Sequence, residues 1–228
     1  MVTGDLTCSG EARELERAAE LLAPFAEARA LTVVPGNHDV WTESAVQTAR
    51  FLRTLGPDGR GMAEPAPCYP HLAPVGDAAV VVALDSARYG EDPWTTPGRL
   101  GSEQLRAARE LVRDQAKAGR AVLLAFHHHV VLPPERVPSD VRVTRMGLAD
   151  ADQVVRLVAD LPVAAVLHGH RHTAFRVDLP GAAGPTPVLC CGSASRVAEE
   201  PVRRARAYVY EIDRSGVRSV EALVAGSE

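Results

Sequence analysis

Four short segments hold the side chains best suited to binding a divalent metal: Gly4-Asp5, Gly36-Asn37-His38-Asp39, His127-His128-His129 and Gly169-His170-Arg171-His172. Seven of the eight histidines lie in or directly against these segments, and only His71 stands apart. A carboxylate able to bridge, several imidazoles and an amide carbonyl make a mixed oxygen and nitrogen donor set, which suits Mn, Fe or Zn alike. Two such ions about 3.5–4 Å apart acidify a shared water and draw charge from phosphoryl oxygens, so the chemistry within reach is phosphoester hydrolysis.

The intervening residues alternate in a way that would present these segments on one edge of a sheet. Leu15, Ala18, Ala19, Leu21 and Leu22 recur at helical spacing and predict a helix from about Gly10 to Arg29, kinked or shortened by Pro24. The apolar run Leu31 to Val34, stopped by Pro35-Gly36, reads as a buried strand that delivers Asn37, His38 and Asp39 on a loop. A helix is expected from Glu43 to Leu55, then irregular chain from Gly56 to Pro74 with one edge strand around Tyr69. Val80 to Leu84 is a β-branched run ending at Asp85-Ser86 and reads as a central strand. The stretch Ala87 to Gly101 forms a long loop, and Ser102 caps a helix reaching Lys117. A strand Ala121 to Phe126 feeds the triple-histidine run, and the Pro- and Arg-rich stretch Val130 to Gly147 arches over it. Asp150 with Gln153 resembles a capping box opening a helix to Asp160, and Val163 to Leu167 is a strand ending at His168. Alternating runs at Ala174 to Leu179, Pro187 to Cys191, Ala205 to Ile212 and Val217 to Leu223 make the remainder β. Ligands of such layered α/β sheets gather where the strand ends and their loops converge.

Composition narrows the function classes. With 228 residues and 46% hydrophobic content the chain is expected to fold as one domain over 1–228. A net charge of -4 and a pI near 6.1 argue against gripping nucleic acid through a broad basic face, and leave room for a small anionic substrate. Cys8 and Cys68 stand alone, and Cys190 and Cys191 would leave a strand on opposite faces, so all four read as free thiols of a reducing compartment. No apolar run approaches a membrane span and no leader pattern opens the chain, which places it in the cytoplasm with no membrane partner.

In order and spread the four segments resemble the signature of the calcineurin-like metallophosphoesterases, which runs DxH, GD, GNHD, H, GHxH. A lone GD carries little information, since Asp5 by itself would more often be a turn residue. The ordered set carries the resemblance, each piece following an expected strand. It implies an α/β fold of two packed mixed β-sheets flanked by helices, with a metal pair at the C-terminal strand edge. It also implies that Asp5 bridges the ions, that Asn37, His127 and His170 ligate the second metal, and that His172 ligates the first. Asn37 and His38 would contact the substrate, His38 would protonate the leaving group, and Asp39 would orient His38. Within the histidine run the first residue past the strand, His127, is favoured over His128, since neighbours on an extended chain point apart.

Other residues have plainer readings. His168 is expected to be a packed strand residue, His71 a surface residue, and Asp85-Ser86 a support of the site through hydrogen bonds. Arg88, Arg142, Arg145 and Arg171 could steady a phosphate, although a solvated arginine is the default for each. The motif spacing and the stretch Arg145-Met146-Gly147-Leu148 resemble the cyclic-nucleotide and glycerophosphodiester branch of the family. The expected substrate is therefore a small phosphodiester or phosphomonoester. A nuclease is disfavoured because no basic, aromatic-interleaved groove is visible.

No DxH precedes Gly4. By the resemblance, the first metal then keeps only Asp5 and His172, below the three protein ligands usual at a catalytic site. The second keeps Asp5, Asn37, His127 and His170. Tight binding at the second site with an impaired first site is expected, as is an open sheet edge where a first strand is missing. A truncated start explains this most economically. The alternative is an inactive single-metal scaffold.

Overall fold

The computed structural model describes residues 1–90, 97–132 and 146–226. Trp94, Arg142 and Arg145 lie outside the described residues, as do parts of the two long loops expected around them.

Six strands form the main sheet: β1 (His71–Val75), β2 (Ala79–Ala83), β3 (Ala121–Ala125), β4 (Val163–His168), β5 (Phe175–Leu179) and β6 (Thr186–Cys190). Their spatial order is β1-β2-β3-β4-β6-β5, with β2, β3, β4 and β6 parallel and the edge strands β1 and β5 antiparallel. Buried on both faces, β2 and β3 are continuously apolar, and the two-residue period sorts their side chains between two layers. Val80, Val82, Val122 and Leu124 pack under α4 (Ser102–Lys117) and α5 (Ala151–Asp160) through Leu105, Ala108, Val112, Val154 and Leu157. Ala79, Val81, Leu123 and Ala125 face the opposite way, toward Tyr210, Ile212, Val217 and Val220. Those four residues belong to an antiparallel pair, β7 (Arg206–Asp213) and β8 (Gly216–Val224). The expected two packed sheets are thus a six-stranded mixed sheet against a two-stranded antiparallel one.

Several local expectations need correction. The Leu31 to Val34 run makes only a bridge, Val2 to Val33, with Val2 N–H donating to Thr32 and Val34 N–H to Val2. Leu31 and Val33 are nevertheless buried as a strand's residues would be, in a cluster with Leu15 of α1 (Ala12–Glu27) and with Phe51 and Leu55, while Val34 packs on the opposite side with Val81 and Leu123. Pro24 does not end α1, which continues to Glu27. The single helix expected over 43–55 is two, α2 (Glu43–Gln47) and α3 (Arg50–Thr54). They are separated at Ala49, which adopts left-handed φ 48 and ψ 42. The Thr48 hydroxyl donates to the Ser44 carbonyl at 2.7 Å, and such local side-chain bonds compete with helix continuation. The edge strand lies at His71–Val75, just past Tyr69, and accommodates Pro74 because an edge has backbone positions without ladder bonds.

Asp150 departs from its expected role. It is the N-cap of α5 but makes no side-chain cap. Its carboxylate accepts instead from Leu100 N–H at 3.1 Å and Gly101 N–H at 2.8 Å, tying the start of α5 to the start of α4. Gly101, at φ 84, is the N-cap of α4 in place of Ser102, which is its first helical residue. Among the described residues no helix is long and apolar enough to cross a membrane.

Candidate metal centre

The loops following Val2, Val34, β3 and β4 meet at one point, backbone against backbone. Gly36 has no room for a side chain: a Cβ there would lie 2.1 Å from Asp5 Oδ1 and 2.4 Å from Asp5 N. Gly4, at φ 89, likewise faces Gly36 N and His127 Nδ1, each 2.6 Å from where its Cβ would stand. The glycines of GD and GNHD are therefore needed for close approach. His38 N–H donates to Asp5 Oδ1 at 3.1 Å, so the second segment directly holds the carboxylate of the first.

Asp39, expected to orient His38, instead fastens Asp5. Fully buried, its carboxylate accepts from Asp5 N–H at 2.9 Å, Gly36 N–H at 2.8 Å, and the N–H and hydroxyl of Thr7, both at 3.0 Å. Burial pushes its pKa up to about 6 against the lowering effect of the Gly36 N–H, and the Asp5 charge adds to the rise. The His38 ring is set by other groups. Its Nδ1 lies 2.7 Å from the Cys8 carbonyl, and the ring stacks on Trp41 with centroids 4.5 Å apart. A carbonyl only accepts, so Nδ1 carries a proton and Nε2 is the nitrogen left for chemistry.

His127 is fully buried at the end of β3. Its Nδ1 sits 2.6 Å from the Thr3 carbonyl and therefore donates, which turns Nε2 toward the centre. There Nε2 lies 3.1 Å from Asn37 Oδ1, 3.3 Å from Asp5 Oδ2 and 3.2 Å from His170 Nδ1. His170 Nδ1 is itself 3.0 Å from Asn37 Oδ1. Four atoms with lone pairs thus point at one another. One proton on a ring nitrogen satisfies only part of that set, whereas a divalent cation satisfies all of it. Asp5, His127 and His170 offer ligand atoms within 4.8 Å of one another, and Asn37 completes an oxygen and nitrogen donor set. The residues present fit a metal.

The electrostatics agree. Burial opposes ionisation of Asp5, but the adjoining His127 and His172 hold its carboxyl well below the usual range, leaving an anion at neutral pH. Burial also disfavours a charged His127, and the Asp5 carboxylate outweighs it, raising that pKa. His170 is pushed well below its ordinary value by burial and by His127 and His128, so it is neutral, the form that ligates.

His172 joins from the rim, with its Nε2 3.8 Å from Asp5 Oδ2 and its side chain 47% exposed. His170 and His172 both have left-handed backbones, φ 69 and 50, which turn the chain sharply after β4. All five expected ligands, Asp5, Asn37, His127, His170 and His172, are thereby brought together. A cavity of about 540 Å³ opens beside them between α1 and β7.

Neighbouring residues have supporting positions. The His128 ring is buried with Nδ1 2.9 Å from Ser86 Oγ. His129 is buried, its Nδ1 has no partner among the described residues, and burial pushes its pKa down to about 3. His168 packs against Phe175 and turns Nδ1 to the Gly169 carbonyl, and burial takes its pKa down to about 4. His71 is half-buried in β1. Arg88 donates to the Ala87 carbonyl and lies 3.9 Å from Asp85. Thr3, Thr7 and Trp41 escaped the sequence reading. Thr3 acts through its carbonyl, which every residue has, while Thr7 and Trp41 become neighbours of the site only on folding.

A sequence profile of the calcineurin-like phosphoesterases matches residues 1–174, a span containing all four segments. No curated protein matches the chain. Among solved structures it is similar to a dimetal phosphatase from Danio rerio, at TM-score 0.53 and 17% identity, over 98% of this chain and 82% of that one. It is also similar to a putative 5'-nucleotidase from Staphylococcus aureus in complex with alpha-ketoglutarate, at TM-score 0.50 and 14% identity. That match covers 100% of this chain and 45% of the other. At such identities the structural likeness speaks for the fold, and the profile speaks for descent. The chain belongs to the calcineurin-like phosphoesterase family.

Proposed function

We propose that the chain is a metal-dependent phosphoesterase acting on a small phosphodiester or phosphomonoester at the centre built by Asp5, Asn37, His127, His170 and His172. The observation that carries this reading is the meeting of Asp5 Oδ2, Asn37 Oδ1, His127 Nε2 and His170 Nδ1, donors without enough protons between them. Divalent ions bound there would acidify a water and neutralise charge on the phosphoryl oxygens. Asp5, held in place by Asp39 through its own N–H and by the His38 amide, would supply a carboxylate to both ions. As an imidazolium, with Nδ1–H held by the Cys8 carbonyl and the ring stacked on Trp41, His38 would give its Nε2 proton to the leaving oxygen and be left as the neutral ring. Asn37 and His38 flank the phosphoryl group.

The two metal positions are unequal. Asp5, Asn37, His127 and His170 would hold one ion, whereas a second would have Asp5 and the half-exposed His172. This supports high affinity at the first of these and weak affinity at the second. It also supports the second reading, a single-metal scaffold that binds a phosphoester without turning it over. Titration with Mn²⁺, paired with hydrolysis of an aryl phosphodiester and an aryl phosphomonoester, separates the two. Turnover that rises with Mn²⁺ beyond the first equivalent supports the enzyme. Tight uptake of one equivalent, with no turnover at large Mn²⁺ excess, leaves only the scaffold.

A further inference from the structure

We propose that Ser86 is a positioning residue for the metal centre, its hydroxyl clipping the His127-His128 backbone to the end of β2 and, through the His128 ring, backing His170. The proposal rests on the reading of His127 and His170 as ligands. Ser86 is fully buried, two residues beyond the last β2 contact with β3. Its Oγ lies 3.3 Å from His127 N, 3.2 Å from His128 N and 2.9 Å from His128 Nδ1. A hydroxyl has one proton and two lone pairs. The two amides can only donate, so they take both lone pairs, and the remaining proton goes to His128 Nδ1. Every capacity of the hydroxyl is used, at a place sealed from water.

This arrangement assigns a tautomer. His128 accepts at Nδ1 and carries its proton on Nε2, whereas His127 carries its proton on Nδ1, facing the Thr3 carbonyl. Adjacent histidines of one run are thus set in opposite tautomers by different partners. His127 is left with a bare Nε2 aimed at Asp5 and Asn37, and the only bare nitrogen of His128 is occupied by Ser86. The histidine run therefore offers the centre His127 rather than His128.

The His128 ring is also held from its flanks. A Cβ on Gly98 would fall 2.2 Å from His128 Cγ, so the ring lies directly against the Gly98 backbone. That backbone is itself fixed by Gly98 N–H to the Gly147 carbonyl at 3.1 Å and Ala149 N–H to the Gly98 carbonyl at 2.8 Å. On the side of the centre, the ring meets His170 with centroids 4.8 Å apart. Ser86 therefore acts on one ligand through the main chain and on another through an aromatic contact. Such outer partners typically control metal affinity by about 10–100-fold.

The first test uses the metal-free wild type. Long-range ¹H–¹⁵N correlation spectra of the histidine rings should show His127 protonated at Nδ1 and His128 at Nε2. A proton on His128 Nδ1 overturns the clip. The second test measures Co²⁺ affinity and the visible absorption of the Co²⁺ protein. Ser86→Ala should weaken binding about 10–100-fold and alter the spectrum. Val112→Ala, on the core-facing side of α4, should lower the melting temperature while leaving both unchanged. Wild-type Co²⁺ affinity and spectrum in Ser86→Ala overturn the proposal. A wild type that takes up no Co²⁺ overturns the ligand reading instead, a failure that the metal-free tautomer measurement distinguishes from failure of the clip.

Discussion

Mild acid should unfold the metal-free protein, and the slope follows from the histidines around the centre. His128, His129 and His168 are buried and His170 is partly so, and burial pushes all four pKa values down, to about 3 for His129 and about 4 for His168. Unfolded, each titrates near 6.5. These groups bind protons more weakly in the folded state, so their contribution to stability is intact above pH 6.5 and is lost as pH falls. Asp39 runs the other way. Its folded pKa of about 6 exceeds the unfolded 3.8, so the folded state binds that proton more tightly and gains from acidification between those values. Asp5, held low, loses its contribution only below its unfolded pKa. His127, held high, is protonated in both states well below pH 6.5. Asp85, which burial also raises to about 6, acts in the same sense as Asp39. Four histidines less two carboxylates leave the unfolded chain about two protons richer near pH 5. The slope is then about 3 kcal/mol per pH unit. Against a typical stability of about 5–15 kcal/mol, unfolding should occur within a few pH units below 6.5. Urea melts followed by circular dichroism in chelator at pH 7, 6 and 5 measure this. Saturating metal at pH 6 should raise the midpoint, because the assembled ligand set exists only in the folded state. A stability constant within about 1 kcal/mol from pH 6.5 to 5 would refute the reasoning.

Three further outcomes are expected. His127→Ala should abolish tight Mn²⁺ binding, whereas His128→Ala, which removes a support and not a ligand, should weaken it about tenfold; equal losses in titration calorimetry would contradict the assignment. Asp150→Ala strips the acceptor from the Leu100 and Gly101 amides and should cost about 2–4 kcal/mol in urea melts, and a loss below about 0.5 kcal/mol would show that those bonds are replaced by water. Ala49→Gly relieves a left-handed alanine and should stabilise by about 0.5–1 kcal/mol, so a lowered thermal midpoint would count against strain at that turn.

Much of the architecture was legible because burial on both faces writes continuous apolar runs. β2, β3 and β4 lie within a residue of their expected limits, and α4 and α5 end where their periodicity ends. Short, weakly patterned pieces were not legible. The 43–55 stretch has helical periodicity throughout, yet Thr48 and Ala49 turn the chain, which directs Phe51 and Leu55 into the cluster with Leu15 and Val33. Asp150 has the residue type and spacing of a cap, yet its carboxylate is spent on another helix's amides. Local signals state which bonds a side chain can make, and the competing partners are supplied by distant chain.

The same division holds at the metal centre. Residue chemistry marked the four segments as able to hold a divalent ion, and the resemblance to the calcineurin-like family singled out Asp5, Asn37, His127, His170 and His172 as the expected ligands. Tertiary structure decided how their lone pairs are aimed. The Thr3 carbonyl sets the His127 tautomer, Ser86 withholds His128, and Asp39 grips Asp5 where it was expected to serve His38. Each of these bonds joins residues more than thirty positions apart. Hydrogen bonding depends on distance and direction in space, and neither is written in a residue's type or its neighbours.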